Sequence, residues 1–144
     1  MPTRTARTAW NGSLQEGSGQ VELSSSKAGT FDVNFPKRTA EDAGGVTSPE
    51  ELIAAAHSAC FSMALSNEIA KAGGTPVALD VKADVTLGQK DGASAITGIA
   101  LTVRGEVEGL DADGFQRAAQ AAKAGCPVSK ALSAVDISMD AALA

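Results

Sequence analysis

Cys60 and Cys126 are the two thiols of this chain, and what they can do depends on what stabilises their thiolates, because the thiolate is the nucleophile. Cys126 stands immediately before Pro127 in GCPVSKALS. If VSKALS is helical, the cysteine takes the N-cap position, beside unpaired N–H groups and the positive end of the dipole, a setting that lowers a thiol pKa. It can equally pack under the turn as an inert side chain, and spacing alone does not choose. Cys60 lies within an alanine-rich run, where a cysteine is ordinarily a small buried hydrophobe and burial raises its pKa. To ionise it needs a neighbouring cation. Arg38 is one candidate; His57, the only histidine, is another, at i, i+3 from Cys60. His57 also reads as a polar residue at a helix edge or interface. Glu50 lies ten residues before Cys60, about 15 Å of helical rise, too far to touch the thiol but able to hold Arg38. It reads equally as a first-turn carboxylate complementing the helix dipole. Two cysteines and one histidine without a C-x-x-C pair make a poor zinc site.

These residues must be positioned by the stretch from Ser48 to Gly74, SPEELIAAAHSACFSMALSNEIAKAGG, which predicts one long central helix. Ser48 serves as N-cap, Pro49 suits the first helical position, Glu51 completes a capping box, and Gly73-Gly74 supply a left-handed exit. Leu52, Ala55, Ala56, Ala59, Met63 and Ile69 follow the helical period and define its expected core face, with Cys60 on it. Before the helix, TARTAW, GQVELSS and TFDVNF predict an antiparallel three-stranded meander, with Val21, Leu23, Phe31, Val33 and Phe35 facing the core. Pro36 ends strand pairing, and residues 37–46, Arg38 included, read as an exposed loop. After the helix, strands over Leu79–Leu87 and Ala95–Val107 form a hairpin across Lys90-Asp91-Gly92. A second helix, capped by Asp111 or Asp113, runs through Phe115 and ends at Gly125. A short helix over VSKALS and a last strand at Val135–Met139 complete an α+β arrangement with helices packed on antiparallel sheets.

Composition excludes several classes of function. The 144 residues carry a net charge of -5, 44% hydrophobic and 20% charged residues, and 3% aromatic residues with no tyrosine. That suits one folded domain, residues 1–144, with a core of small aliphatic side chains. It offers neither the basic patch nor the stacking rings of a nucleic-acid binder, nor the basic amphipathic face of a membrane-surface protein. No apolar run approaches a membrane span, and the first ten residues lack a secretory apolar core, so a cytoplasmic protein is expected. Two cysteines there are reactive, metal-binding or merely buried rather than permanently bridged.

Residues 48–65, SPEELIAAAHSACFSMAL, and 124–132, AGCPVSKAL, closely resemble the paired motifs of the OsmC/Ohr family. The likeness extends from Trp10 to Met139, and PEELIAAAH and GCPVS resemble the OsmC branch. Ser48 stands where the family more often has asparagine, an equally good cap. The resemblance implies an intertwined homodimer in which antiparallel sheets wrap long central helices and each active site uses both subunits. It implies a thiol-dependent peroxidase with Cys60 peroxidatic and Cys126 resolving, and Arg38 aimed by Glu50 to stabilise the Cys60 thiolate. A peroxide is the substrate, organic hydroperoxides above all, in a pocket expected to be lined by alanines, Phe61 and Met63. An external dithiol, such as a lipoylated protein or a thioredoxin-like system, closes the cycle without metal or bound cofactor. Two other readings use the same residues: a redox sensor or small-ligand binder without useful turnover, and a structural dimer with inert thiols.

Overall fold

The computed structural model describes Met1 through Ala144. The chain divides into two compact units, Met1–Leu52 and Ile53–Ala144, each built around its own three-stranded sheet.

In the first unit, strands β1 (Arg7–Asn11), β2 (Ser18–Glu22) and β3 (Thr30–Val33) form the expected meander, antiparallel in the order β1-β2-β3. Its apolar face is thinner than the alternation suggested. Val21 is buried, but Phe31 is 41% exposed and Trp10 42% exposed. The segment expected to be loop from residue 37 instead begins with a single helical turn, α1 (Phe35–Arg38). Asn34 caps it, accepting from the Lys37 N–H at 2.8 Å, and Pro36 sits in the first turn, where a missing N–H costs nothing. Arg38 is thus the last residue of a turn with a fixed start.

Helix α2 (Pro49–Lys71) begins at the end of the first unit and runs through the second. Ser48 Oγ accepts from the Glu51 N–H at 3.1 Å as an N-cap should. The reciprocal half of the capping box is replaced, because the Glu51 carboxylate takes the Thr47 hydroxyl instead. At the far end Gly73, at φ 89°, and Gly74 return N–H bonds to Ala70 and Ile69, the paired bonds of a Schellman exit. The buried stripe of α2 differs from the expected one. His57, Phe61, Leu65 and Ile69 are each 0% exposed, while Met63 is 74% exposed and Ala55, Ala56 and Ala59 also face outward. The i, i+4 spacing of the large side chains outweighs the alanines in setting the inward face, since burial of Phe, Leu and Ile removes far more apolar area.

The rest of the second unit follows the sequence closely. Strands β4 (Thr75–Lys90) and β5 (Ala93–Glu108) pair antiparallel along their length, longer than expected, through Asp91-Gly92. Both turn residues have positive φ, 52° and 78°, the two-residue geometry that fits a twisted hairpin. Helix α3 (Ala112–Gly125) is capped by Asp111, whose carboxylate accepts from the Gly114 N–H at 2.8 Å. It buries Phe115, Ala118, Ala119 and Ala122. Gly105 in β5 leaves room for the Phe115 ring, since a Cβ there would lie 2.8 Å from it. Helix α4 (Pro127–Ala131) follows at once and ends two residues before the end of VSKALS. The last strand, β6 (Ile137–Leu143), begins later than expected and pairs parallel to β5. The second sheet is therefore mixed. Two helices intervene between β5 and β6, and such a crossover returns the chain in the same direction, whereas a tight turn would reverse it. The architecture is α+β.

Candidate active site

The second unit brings the two cysteines together. Cys126 ends α3, its N–H bonded to Ala122 O at 2.8 Å, and is also the N-cap of α4, its carbonyl accepting from Lys130 at 3.0 Å. With both backbone groups committed, the side chain is fixed at the junction and fully buried. Cys60, half-buried on α2, faces it, and the sulfurs are 3.1 Å apart with both thiols free.

Their environments differ. Burial pushes the Cys60 thiol up; the Val128 N–H pulls the other way, but the neighbouring Cys126 adds to the rise. Burial also opposes ionisation of Cys126, yet this thiol lies below its ordinary range. The Ser129 N–H, the Cys60 thiol, the Ser129 hydroxyl and the Val128 N–H together favour its thiolate. Its sulfur makes no close capping hydrogen bond, so the first-turn amides act on it as oriented dipoles. Within this unit the thiolate is thus better supported on Cys126 than on Cys60.

His57 is not the cation beside Cys60. Its Nε2 lies 2.7 Å from Ser129 Oγ, both residues are buried, and burial lowers the imidazole pKa, keeping it neutral. Nδ1 has no partner. Ser129 is a site residue that motif reading passed over, although as the third residue of α4 it stands where a side chain reaches back towards the N-cap.

The first unit holds the charged pair. Arg38 Nε donates to both oxygens of Glu50, at 2.9 and 3.2 Å, and the Glu50 side chain is 9% exposed against 33% for Arg38. One nitrogen thus grips the carboxylate, and the terminal guanidinium nitrogens make no side-chain bond. Lys37 is turned away to the Asp42 carbonyl at 3.4 Å. Arg38 also lines an apolar cavity of about 550 Å³ with Trp10, Val21, Phe35, Pro49 and Leu52. Of the residues expected to line the substrate pocket, Phe61 is sealed in the core and Met63 points outward. The cavity was hidden in the sequence because its walls come from four separated segments.

An α+β protein in which two free thiols, 66 residues apart in sequence, meet within 3.1 Å is equipped for thiol–disulfide chemistry. The chain matches the family described as OsmC-like protein over residues 42–140. It is 46% identical over 131 residues to the peroxiredoxin OsmC of Escherichia coli strain K12, covering 91% of this chain and 90% of that protein. It is 34% identical over 101 residues to the organic hydroperoxide resistance protein OhrB of Bacillus subtilis, covering 70% and 72%. Among solved structures, an organic hydroperoxide resistance protein from Elizabethkingia anophelis superposes with a TM-score of 0.80 at 25% identity, over 100% of this chain and 98% of that one. OhrB of Bacillus subtilis superposes with a TM-score of 0.75 at 29% identity, over 95% and 97%. This chain belongs to the OsmC family.

Proposed function

We propose that this protein is a cysteine-based peroxidase that reduces organic hydroperoxides to alcohols in oxidative stress defence. The observation that carries the reading is the 3.1 Å approach of Cys60 and Cys126; the peroxiredoxin and hydroperoxide-resistance relatives support it. The Cys60 thiolate attacks the distal oxygen of the peroxide. An S–O bond forms, the O–O bond breaks, and the alkoxide takes up a proton and leaves as alcohol, the sulfur being oxidised by two electrons to a sulfenic acid. Cys126, as thiolate, then attacks the Cys60 sulfur; the S–S bond forms and hydroxide leaves to become water. The sulfurs need to close by only about 1 Å to reach bonding distance. An external dithiol, a lipoylated protein or a thioredoxin-like one, reduces the disulfide by two exchanges and is itself oxidised to a disulfide.

In this reading Arg38, held by Glu50, supplies the positive charge that Cys60 needs, and the cavity beside Arg38 takes the organic group. The protein works as a cytoplasmic homodimer of one domain per chain. The outward Ala55, Ala56, Ala59 and Met63 on α2 support that assembly, because small side chains let two such helices approach closely. The test is peroxide consumption with cumene hydroperoxide and dihydrolipoamide. Cys60→Ser is expected to abolish it, while Cys126→Ser allows one oxidation per chain and blocks normal recycling. Full turnover by Cys60→Ser would overturn the assignment, and a wild type that oxidises once without turning over would identify a sensor instead.

A further inference from the structure

Helix α2 meets α4 and its cap through two side-chain pairs. Cys60 Sγ lies 3.1 Å from Cys126 Sγ, and His57 Nε2 lies 2.7 Å from Ser129 Oγ. The pairs are in register: three residues along α2 lead from His57 to Cys60, and three residues back along α4 lead from Ser129 to its N-cap, Cys126. That is about 4.5 Å of helical rise on each side. The thiol pair and the hydrogen bond are therefore two cross-links between the same two segments, one turn apart, and the mechanism above uses only the first.

Helix α4 needs such a link. Five residues are too few for a helix to hold itself together in water, and Ser129 is the one residue of α4 that is buried. Cys126 is fixed from the α3 side by its N–H bond to Ala122 O at 2.8 Å, but on the other side its carbonyl accepts from Lys130 of α4 at 3.0 Å. The direction in which the cysteine side chain leaves the junction thus depends on where α4 lies. His57 meets that need at a cost. Its Nδ1 is buried without a partner, and an unpaired buried polar atom destabilises, so a leucine would pack there more favourably. What leucine lacks is the bond to Ser129. Orphaned buried acceptors are better tolerated than orphaned buried N–H groups, which favours the tautomer with a bare Nδ1 and an Nε2–H that donates to Ser129 Oγ.

We propose that His57 and Ser129 are positioning residues for the Cys60–Cys126 disulfide: their hydrogen bond pins α4 against α2 and holds the two sulfurs within closing distance in both redox states. Pinned sulfurs lose little further freedom when the S–S bond forms, so the pin raises the effective concentration of one thiol at the other. Without it the reduced pair spreads over more arrangements, and the disulfide forms less completely.

Use of this disulfide in turnover rests on the proposed function, but the pin is tested without peroxide. The protein is equilibrated with mixtures of reduced and oxidised dithiothreitol, whose dithiol reduces the Cys60–Cys126 bond by two exchanges and becomes the cyclic disulfide. The oxidised fraction is read by mass after the free thiols are alkylated. Ser129→Ala and His57→Leu are each expected to lower the equilibrium constant for disulfide formation about three- to tenfold, the scale of one hydrogen bond, which places the potential about 15 to 30 mV higher. The double variant is expected to shift no further than either single one, because the same bond is lost in all three. Ser129→Thr, which keeps a hydroxyl, and His57→Gln, which keeps an N–H donor, are expected to restore most of the constant. Ile69→Val, on the same buried stripe of α2 but nine residues beyond Cys60, loosens the core and is expected to leave the constant unchanged. An unchanged constant in either single variant, a double variant that shifts by the sum, failure of both conservative variants to restore it, or an equal shift with Ile69→Val would overturn the proposal. Should the apolar variants fail to fold, proton NMR of the wild-type imidazole decides. A slowly exchanging Nε2–H in both the reduced and the oxidised protein supports the pin, and loss of that protection on oxidation refutes it.

Discussion

In the unit from Ile53 to Ala144, twelve apolar side chains form one continuous buried cluster from Phe61 to Ala141, whereas in Met1–Leu52 the one buried apolar side chain is Val21. The first of these regions carries the thiols and the second the guanidinium. Cys126 belongs to the cluster itself, and Cys60 packs against it. Its sulfur positions are therefore set by a close-packed interior, where displacement costs packing energy. Arg38 is positioned instead by a cap, a single turn and one ion pair at the rim of an apolar cavity. The contrast teaches that a close-packed interior fixes two sulfurs to within bonding reach, whereas a cap, a single turn and an ion pair leave a guanidinium more latitude.

The comparison can be broken at its strongest point by Phe61→Ala. Phe61 is 0% exposed, and truncating a fully buried phenylalanine costs about 3–5 kcal/mol, a large share of the roughly 5–15 kcal/mol that holds a domain folded. Denaturant unfolding measures this, and a loss below about 1 kcal/mol would show that the second unit is not held by this cluster. Val21→Ala probes the other region. Removing two methyl groups is expected to cost about 2 kcal/mol, with amide hydrogen exchange in β1–β3 rising more than in β5, because weakly buried units open locally. Uniform exchange across both sheets would erase the distinction.

The smallest expected effect is on the first oxidation step. Arg38→Ala should slow it at least about tenfold, roughly 1.4 kcal/mol of barrier, while the protein remains folded; Glu50→Ala should act in the same direction and less. An opposite charge favours ionisation, so losing it raises the Cys60 midpoint and shifts the alkylation profile to higher pH. Arg38→Lys should rescue poorly. In the native pair Nε alone holds Glu50 and leaves the terminal nitrogens unbonded to side chains, whereas lysine would commit its single ammonium to the carboxylate. Superimposable alkylation curves for wild type, Arg38→Ala and Arg38→Lys would remove Arg38 from the mechanism.

Elements specified by local chemistry were legible in the chain. Ser48, Asp111 and Cys126 cap helices because their positions precede helical runs, Gly73 ends one because it tolerates positive φ, and Asp91-Gly92 reverse the hairpin for the same reason. The motif residues carrying the thiols and the charged pair were legible as well, and Glu50 does hold Arg38. The inward face of α2 was not. The helical period fits both the alanine stripe and the stripe through His57, Phe61, Leu65 and Ile69, and only packing against the second sheet selects between them. The parallel return of β6 was equally hidden, since a strand's direction is set by the route of the helices before it. Ser129 shows the division most clearly. Its place on α4 is local, but its hydrogen bond to His57 spans 72 residues, and no pattern along the chain encodes which distant side chain a buried hydroxyl will meet. By itself the sequence determined the caps, the turns and the reactive residue types, because these depend on neighbours a few residues away. Which faces are buried, how far apart the sulfurs lie and which partners tune them were decided by the tertiary structure, because burial and close approach are properties of the whole packed interior.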